Sequence, residues 1–317
     1  MTLATGFAAV SVVTRTEPEG APPPMSATTC LAIDIGGTKL AVGLVSSEGR
    51  LLTRQQAPTT RGADAETLLG KVLALSEQAC ASAAQRPDVV GVGCGGPMDP
   101  LAGTVSPLNI PGWRAFPLVD RLHEALGLPV SLDNDAKALA LAEGWLGAAC
   151  HAESYLAMVV STGVGGGIVL DGRLLDGRLG NAGHIGHLVV VPDGRLCTCG
   201  VHGCLEAEAS GTAIQAITGR PAKEAPSAII ERTGQLVGRA VASVVTLLDL
   251  DLCVVAGSVA LGFGQPFFDA AQRSLREHTG LDFTRGAAIV PAGLGDEGPL
   301  IGAAAVGFAP SRTLERA

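Results

Sequence analysis

The sequence predicts an α/β protein of two domains, with sheets covered by helices. Three observations carry that expectation. Short apolar runs alternate along the chain with stretches whose apolar residues recur at helical spacing, the pattern of strands interleaved with helices. The length of 317 residues suits two domains at roughly 100–200 residues each. A strand, a glycine-rich turn and a second strand occur once in each half, around Asp34 and around Ser161, as if two related units faced one ligand.

Hydrophobic residues make up 47% of the chain and aromatics only 3%, so the cores must be built from Ala, Val, Leu and Ile. No run approaches the ~20 apolar residues that span a bilayer. A net charge of −8 offers no general attraction for nucleic acid or an anionic membrane. Neither is therefore an expected partner. Small anions remain possible, because backbone N–H groups and helix N-termini bind them locally. Residues 1–28 are rich in Thr, Ala and Pro. Without a basic start and an apolar core followed by a cleavage site they read as a disordered tail rather than a signal peptide, and Met25 is an alternative start. Eight cysteines in a long chain, three of them clustered, suit metal binding better than a disulfide framework and imply a cytoplasmic compartment. The other five read as buried, inert thiols.

The first strand, over residues 30–35, breaks at Gly36-Gly37 and resumes after Lys39. The glycines allow a tight turn and close approach of a ligand. Asp34 at its mouth, with Thr38 and Lys39, fits a phosphate and Mg²⁺ turn; an ordinary hairpin with a solvated Asp fits equally. The G-x-x-x-x-G-K-[ST] loop is absent. A helix follows over 64–86, with Asp64 as N-cap. A buried strand at 89–92 then ends in Gly-Cys-Gly-Gly-Pro, at the kind of strand end where α/β proteins bind ligands. The Pro-rich loop after it holds Asn109 and Trp113. A helix over 117–126 and a strand over 129–132 lead to Asp133-Asn134-Asp135 and a helix over 136–146. One of these polar residues suffices as a cap, and a second carboxylate there is a candidate general base. This junction is also the expected hinge into the second domain.

A strand over 154–160 runs into Ser161, Thr162, Gly163, Val164, Gly165, Gly166 and Gly167, with a return strand at 168–170 and a tight turn at Asp171-Gly172. The element His184-Ile185-Gly186-His187 follows, well placed to set polar groups beside a substrate. His187, Cys197, Cys199 and Cys204 are spaced for a closed tetrahedral Cys₃His zinc site of structural type, and His202 is a competing ligand. Glu206 opens a helix through 217, either complementing its dipole or accepting a sugar hydroxyl. A long helix over 225–248 precedes a strand at 253–256 ending in Gly257-Ser258, a turn suited to a nucleotide. A further helix, a strand at 288–290 and a terminal helix from Leu300 complete the order.

Four ordered motifs together resemble the ROK family of repressors and sugar kinases, within the actin-like ATPase superfamily. They are LAIDIGGTK at 31–39, NDAKALALAE at 134–143, TGVGGG at 162–167, and the knot of His187, Cys197, Cys199 and Cys204 with Glu206. The resemblance spans about residues 30–308. It implies two actin-like ATPase (ribonuclease H-like) domains, with mixed sheets and flanking helices around a central cleft. The small domain is then 29–133, joined by the terminal helix 300–317, and the large domain is 134–299 with the zinc loop at 187–204. It implies ATP-dependent phosphorylation of a sugar hydroxyl, usually O6 of a hexose, with ATP, Mg²⁺ and structural Zn²⁺. Asp135 becomes the general base and Asn134 a ligand of adjacent sugar hydroxyls. The turns at Gly36, Gly37 and Thr38 and at Thr162 to Gly166 would hold the phosphates, with Asp34 orienting the metal. Gly96, Asn109, His187 and Glu206 would line the sugar pocket. Relatives are commonly homodimers or homotetramers.

Two departures bear on the substrate. Most family kinases carry Glu-x-Gly-His where this chain has His184-Ile-Gly-His187, which replaces a carboxylate near the sugar's O1/O2 edge by an imidazole. That variant also occurs in bacterial N-acetylmannosamine kinases, and the turn at Gly257-Ser258 leans the same way. Lys137, where many members carry Asn, is expected to matter less. The expectation is a hexose kinase, glucose first and N-acetylmannosamine as rival. A sugar-responsive transcriptional regulator is the alternative of another class, lacking a DNA-binding platform because only 28 low-complexity residues precede Thr29.

Overall fold

A computed structural model describes residues 28–308 except 61 and 84. The expected tail over 1–27 and the continuation of the last helix through 309–317 lie outside the described residues. Strand β1 (Thr29–Ile35) is buried on both faces apart from Asp34, and its apolar run pairs antiparallel with β2 (Lys39–Ser46) across the turn at 36–38. Strand β3 (Gln55–Pro58) extends the edge beside β2. Its alternation of half-buried and exposed residues belongs to an edge strand, and its polar sequence QQAP gives no apolar run to betray it. Helix α1 (Ala65–Ala81) is capped as expected, the Asp64 carboxylate accepting from the Thr67 N–H at 2.8 Å. It stops at Ser82, short of Arg86.

Strand β4 (Val89–Cys94) pairs parallel with β1. After it come a small β5 (Met98–Asp99) and β6 (Thr104–Val105) ribbon and helix α2 (Leu118–Leu126). Strand β7 (Val130–Asn134) completes the order β3-β2-β1-β4-β7 and leads directly into α3 (Asp135–Trp145). The second half repeats the plan. Strand β8 (Tyr155–Val160) pairs antiparallel with β9 (Val164–Leu170), and β9 with β10 (Arg173–Leu174). The segment Leu205–Thr218 forms two helices, α4 (Leu205–Ala209) and α5 (Gly211–Thr218), where a single helix was expected. Ser210 breaks it because its extended backbone lets its hydroxyl accept from the Ala213 N–H at 3.1 Å as the cap of α5. Helix α6 (Ser227–Leu248), β11 (Leu252–Ala256), α7 (Ser258–Phe263), α8 (Gln265–Glu277) and β12 (Ala288–Pro291) give the sheet order β10-β9-β8-β11-β12. Both sheets thus run two antiparallel pairings and then two parallel ones, which is the mixed five-stranded arrangement expected of each half.

One core lies between the first sheet and α1 with α2, and another between the second sheet and α6 with α8. Helix α9 (Gly298–Phe308) lies on β1 and β4, and α3 lies on β8 and β9, the two helices packing against each other between the sheets. Small residues make this possible. A Cβ on Gly91 of β4 would run into the carbonyl oxygen of Ala303, and one on Gly302 would lie 2.5 Å from that of Ala138. Gly91→Ala is therefore expected to cost about 1–3 kcal/mol of stability through overpacking, read as a lower urea midpoint. An unchanged midpoint would contradict this close approach. At the far end of α3 the buried Glu143 carboxylate accepts N–H bonds from Ala148 (2.7 Å), Gly293 (3.0 Å) and Leu294 (3.3 Å), tying α3 to the loop before α9. Among the described residues no helix is long and apolar enough to cross a membrane.

Candidate active site

The β7–α3 junction separates capping from chemistry. The Asn134 side chain caps α3, accepting from the Ala136 N–H at 3.0 Å. Asp135, the first residue of the helix, spends one oxygen on the same N–H at 2.8 Å and is half-buried. Burial raises its carboxyl above the ordinary 3.8, opposed by the Ala136 N–H and by His184. Asp34, at the end of β1, is pushed up to about 7 by burial and then by the charge of Asp135, with Lys39 pulling the other way. Two carboxyls that repel each other at one strand-end floor are a proton-accepting and cation-attracting pair.

The first glycine turn closes through Gly36 N–H to the Lys39 carbonyl (3.0 Å), and the Thr59 hydroxyl donates to the Gly36 carbonyl (2.7 Å). Asn109, exposed on its loop, lies against Gly37, where a Cβ would meet its amide nitrogen at 2.5 Å. That loop is anchored by buried Trp113, stacked on Phe116 at 4.7 Å and donating to the Ala65 carbonyl at 3.2 Å. Asn109 therefore borders the first glycine turn.

The second turn is shorter than expected. Val160 pairs with Val164, so only Ser161, Thr162 and Gly163 form the turn, while Gly165, Gly166 and Gly167 belong to β9. Their smallness serves close packing: a Cβ on Gly165 would lie 3.0 Å from Ala136, one on Gly166 2.9 Å from Ile185, and one on Gly167 2.8 Å from the Lys137 backbone. Around the turn, the Thr162 carbonyl accepts from the Thr212 hydroxyl (2.9 Å), and the Ser161 and Ser258 hydroxyls are 3.0 Å apart. Gly257, at φ 101°, passes so close to Val160 that no side chain fits. Glu206 accepts from the Val164 N–H at 2.9 Å, so the carboxylate expected at the sugar is fastened to the first residue of β9, next to the second glycine turn.

His184 is exposed, its Nδ1 2.9 Å from the Asn181 carbonyl. That carbonyl can only accept, so Nδ1 carries the proton and Nε2 is left as the acceptor in the neutral ring. Nε2 lies toward Gly96, where a Cβ would meet it at 3.3 Å and the Asn134 amide nitrogen at 3.2 Å. Gly96, Asn134 and His184 thus border one small space beside Asp135.

His187, Cys197, Cys199 and Cys204 bring their ligand atoms within 4.8 Å of one another. Cys197 Sγ is 3.6 Å from His187 Nδ1, and the Cys199 and Cys204 sulfurs are 3.6 Å apart. A disulfide needs about 2.05 Å, whereas thiolates at ~2.3 Å from a tetrahedral zinc stand about 3.7 Å apart. The four residues fit zinc. His202 turns away to the Gly194 carbonyl at 2.8 Å and leaves the set to His187. The loop that carries these residues leads at once into α4 and Glu206.

Lys137 is the residue whose weight the sequence understated. It is fully buried and pairs with Asp176 at 2.7 Å and with Asp133 at 3.2 Å. A lone cation in the otherwise apolar run ALALA was the available signal, because a buried Lys needs partners.

A profile described as the ROK family matches residues 30–308. An N-acetylmannosamine kinase of Yersinia pestis is 37% identical over 250 residues, 74% of this chain and 84% of that protein. A glucokinase of Thermotoga maritima is 40% identical over 187 residues, 58% of each chain. Among solved structures, a ROK family glucokinase from Streptomyces griseus in complex with glucose and AMPPNP is similar with a TM-score of 0.79 and 31% identity, over 89% of this chain and 99% of that one.

Proposed function

Since the chain belongs to the ROK family, we propose that it is an ATP-dependent kinase acting on the 6-hydroxyl of a hexose, glucose in first place. The observation that carries the reading is Asp135, a carboxyl with raised proton affinity at the first turn of α3 that Asn134 relieves of capping. In this role Asp135 accepts the proton of the attacking hydroxyl as the phosphoryl group transfers. Asn134, His184, His187, Glu206 and Gly96 hold the remaining hydroxyls, and Asn109 closes the pocket from the first half. The backbones at Gly36, Gly37 and Thr38 and at Thr162 and Gly163 hold phosphates, with Gly257 and Ser258 on the nucleotide side. Asp34 and Lys39 flank the phosphate path. Mg²⁺ bound with the nucleotide would neutralise charge on the transferring group. His187 and the three cysteines would hold zinc and so cross-link the loop that carries Glu206, away from the transfer itself.

His184 favours a second reading. Its acceptor Nε2 beside Gly96, together with the likeness to an N-acetylmannosamine kinase, suits a sugar with a 2-acetamido N–H to donate. An ADP-release assay over glucose, mannose, N-acetylglucosamine and N-acetylmannosamine separates the two. The expected result is the highest kcat/KM with glucose. A value for N-acetylmannosamine higher by about tenfold, or about 1.4 kcal/mol of transition-state binding, would transfer the assignment to that sugar. Silence on all four would overturn the kinase.

A further inference from the structure

Lys137 holds the sugar-facing loop onto the helix that carries the base. Its Nζ donates to Asp176 Oδ1 at 2.7 Å and to the Gly180 carbonyl at 3.1 Å, and it stands 3.2 Å from Asp133 Oδ1. Asp133 Oδ1 also accepts the N–H of Asn134 at 2.7 Å. The ammonium thus binds two points of the segment 176–184 to the last residues of β7, immediately behind Asn134 and Asp135. The segment also has bonds of its own, from the Gly180 N–H to the Gly177 carbonyl at 3.4 Å and from the Ala182 N–H to the Asp176 carbonyl at 2.9 Å. Its Gly177 and Gly180 are left-handed, at φ 71° and 78°, and Gly180 packs on Pro100, where a Cβ would lie 2.7 Å from the ring. Its outer end is fixed by the Asn181 side chain, which exchanges hydrogen bonds with the backbone of Met98 at 3.4 and 3.1 Å. The Asn181 carbonyl in turn sets the His184 ring.

We infer that Lys137 is a positioning residue for sugar recognition: through Asp176 and Gly180 it sets where His184 Nε2 stands relative to Asn134 and Asp135. The inference rests on the sugar-kinase reading. A buried ammonium with two carboxylates and a carbonyl around it is geometrically constrained, and through Asp176 and Gly180 it adds two anchors to the segment beside those at Met98. The bonds of Lys137 described above run to β7 and to segment 176–184, so its effect is expected to fall on the sugar more than on the nucleotide.

The test uses the full chain loaded with zinc, and begins by establishing turnover of a sugar by the wild type; without turnover the kinase reading itself fails. Asp176 is 40% exposed, so its variants fold more readily than those of Lys137. Asp176→Ala is expected to raise the sugar KM by about tenfold, with kcat changed by no more than about threefold, the split of a lost substrate-binding contact. AMPPNP affinity, measured by calorimetry, stays at the wild-type value. Asp176→Asn, whose amide oxygen still accepts from Lys137, is expected to restore KM to within about threefold of wild type. Lys137→Met, where it folds, should repeat the Asp176→Ala pattern. An unchanged sugar KM in Asp176→Ala would overturn the inference, as would an equal loss of AMPPNP affinity or an Asn variant no better than the Ala variant.

Discussion

Asp135→Asn is expected to lower phosphoryl transfer by about 10²–10⁴-fold, the usual weight of a general base, with zinc content and fold intact. The amide oxygen can still accept from the Ala136 N–H, so the helix start keeps its geometry, and Asn134 remains its cap. What is lost is an atom that can take a proton. The wild-type pH profile should carry the same signature. A carboxyl raised above 3.8 by burial accepts protons only above its raised value, so activity falls as pH drops through that value, at a less acid pH than for an exposed aspartate. The stability consequence has the opposite sign. Between 3.8 and its raised pKa the folded protein binds protons that the unfolded chain releases, so stability is lost as pH rises through that window. Asp34, pushed up to about 7, adds to the same trend. Asn at 135 removes one buried charge and relieves Asp34, so the inactive variant should melt no lower than wild type at pH 8. Retained turnover would remove Asp135 from the role of base. A variant that melts well below wild type would show that the loss of activity reports misfolding.

Loss of the metal knot is the second large effect. Cys197 is buried and faces His187, so Cys197→Ser should abolish zinc binding while adding little bulk. Freshly purified wild type is expected to carry one zinc per chain by elemental analysis, and the variant none. Structural zinc binding is folding free energy; here it is confined to one loop, so a cost of about 2–5 kcal/mol, as for a lost native cross-link, is the expected scale. That corresponds to a fall in Tm of roughly 5 °C or more. The sugar KM should rise further than the nucleotide KM, because His187 belongs to the knot and Glu206 follows it directly, while the turn at 36–38 lies in the other half of the chain. Chelation of the wild type should reproduce both effects. Wild type with no bound zinc would dispose of the site.

Much of this architecture was legible in the chain because apolar period and caps agree. The strands at β1, β4, β8 and β11, the Asp64 cap and the spacing of the cysteines are local signals that folding leaves unchanged. The misreadings have local causes too. Glycine carries no side chain to show a period, so Gly165, Gly166 and Gly167 read as turn when they are strand, Gly165 and Gly167 made small by α3 and Gly166 by Ile185. Strand β3 is polar because it is an edge, and sequence alone gives it no partner. Ser210 is an ordinary helix residue by composition, and only its extended backbone makes it a cap. Lys137 pairs with Asp176 across a separation that sequence spacing cannot reveal, and the tie from Glu206 to Val164 is of the same kind. Pairings between distant residues are set by topology.

The place of α9 has a consequence for how the chain comes together in time. Its residues cover the face of the first sheet formed by Cys30, Ala32, Ala41 and Val89, yet they emerge from the ribosome long after those strands. Synthesis at ~5–20 residues per second leaves that apolar face waiting for many seconds. Contacts this distant in sequence are also slow to form in refolding. The first half is thus an unfinished object until nearly all of the second has been made, and an interrupted chain would expose a sticky sheet. A chain whose first sheet is covered by α9 has therefore already made every strand of its second.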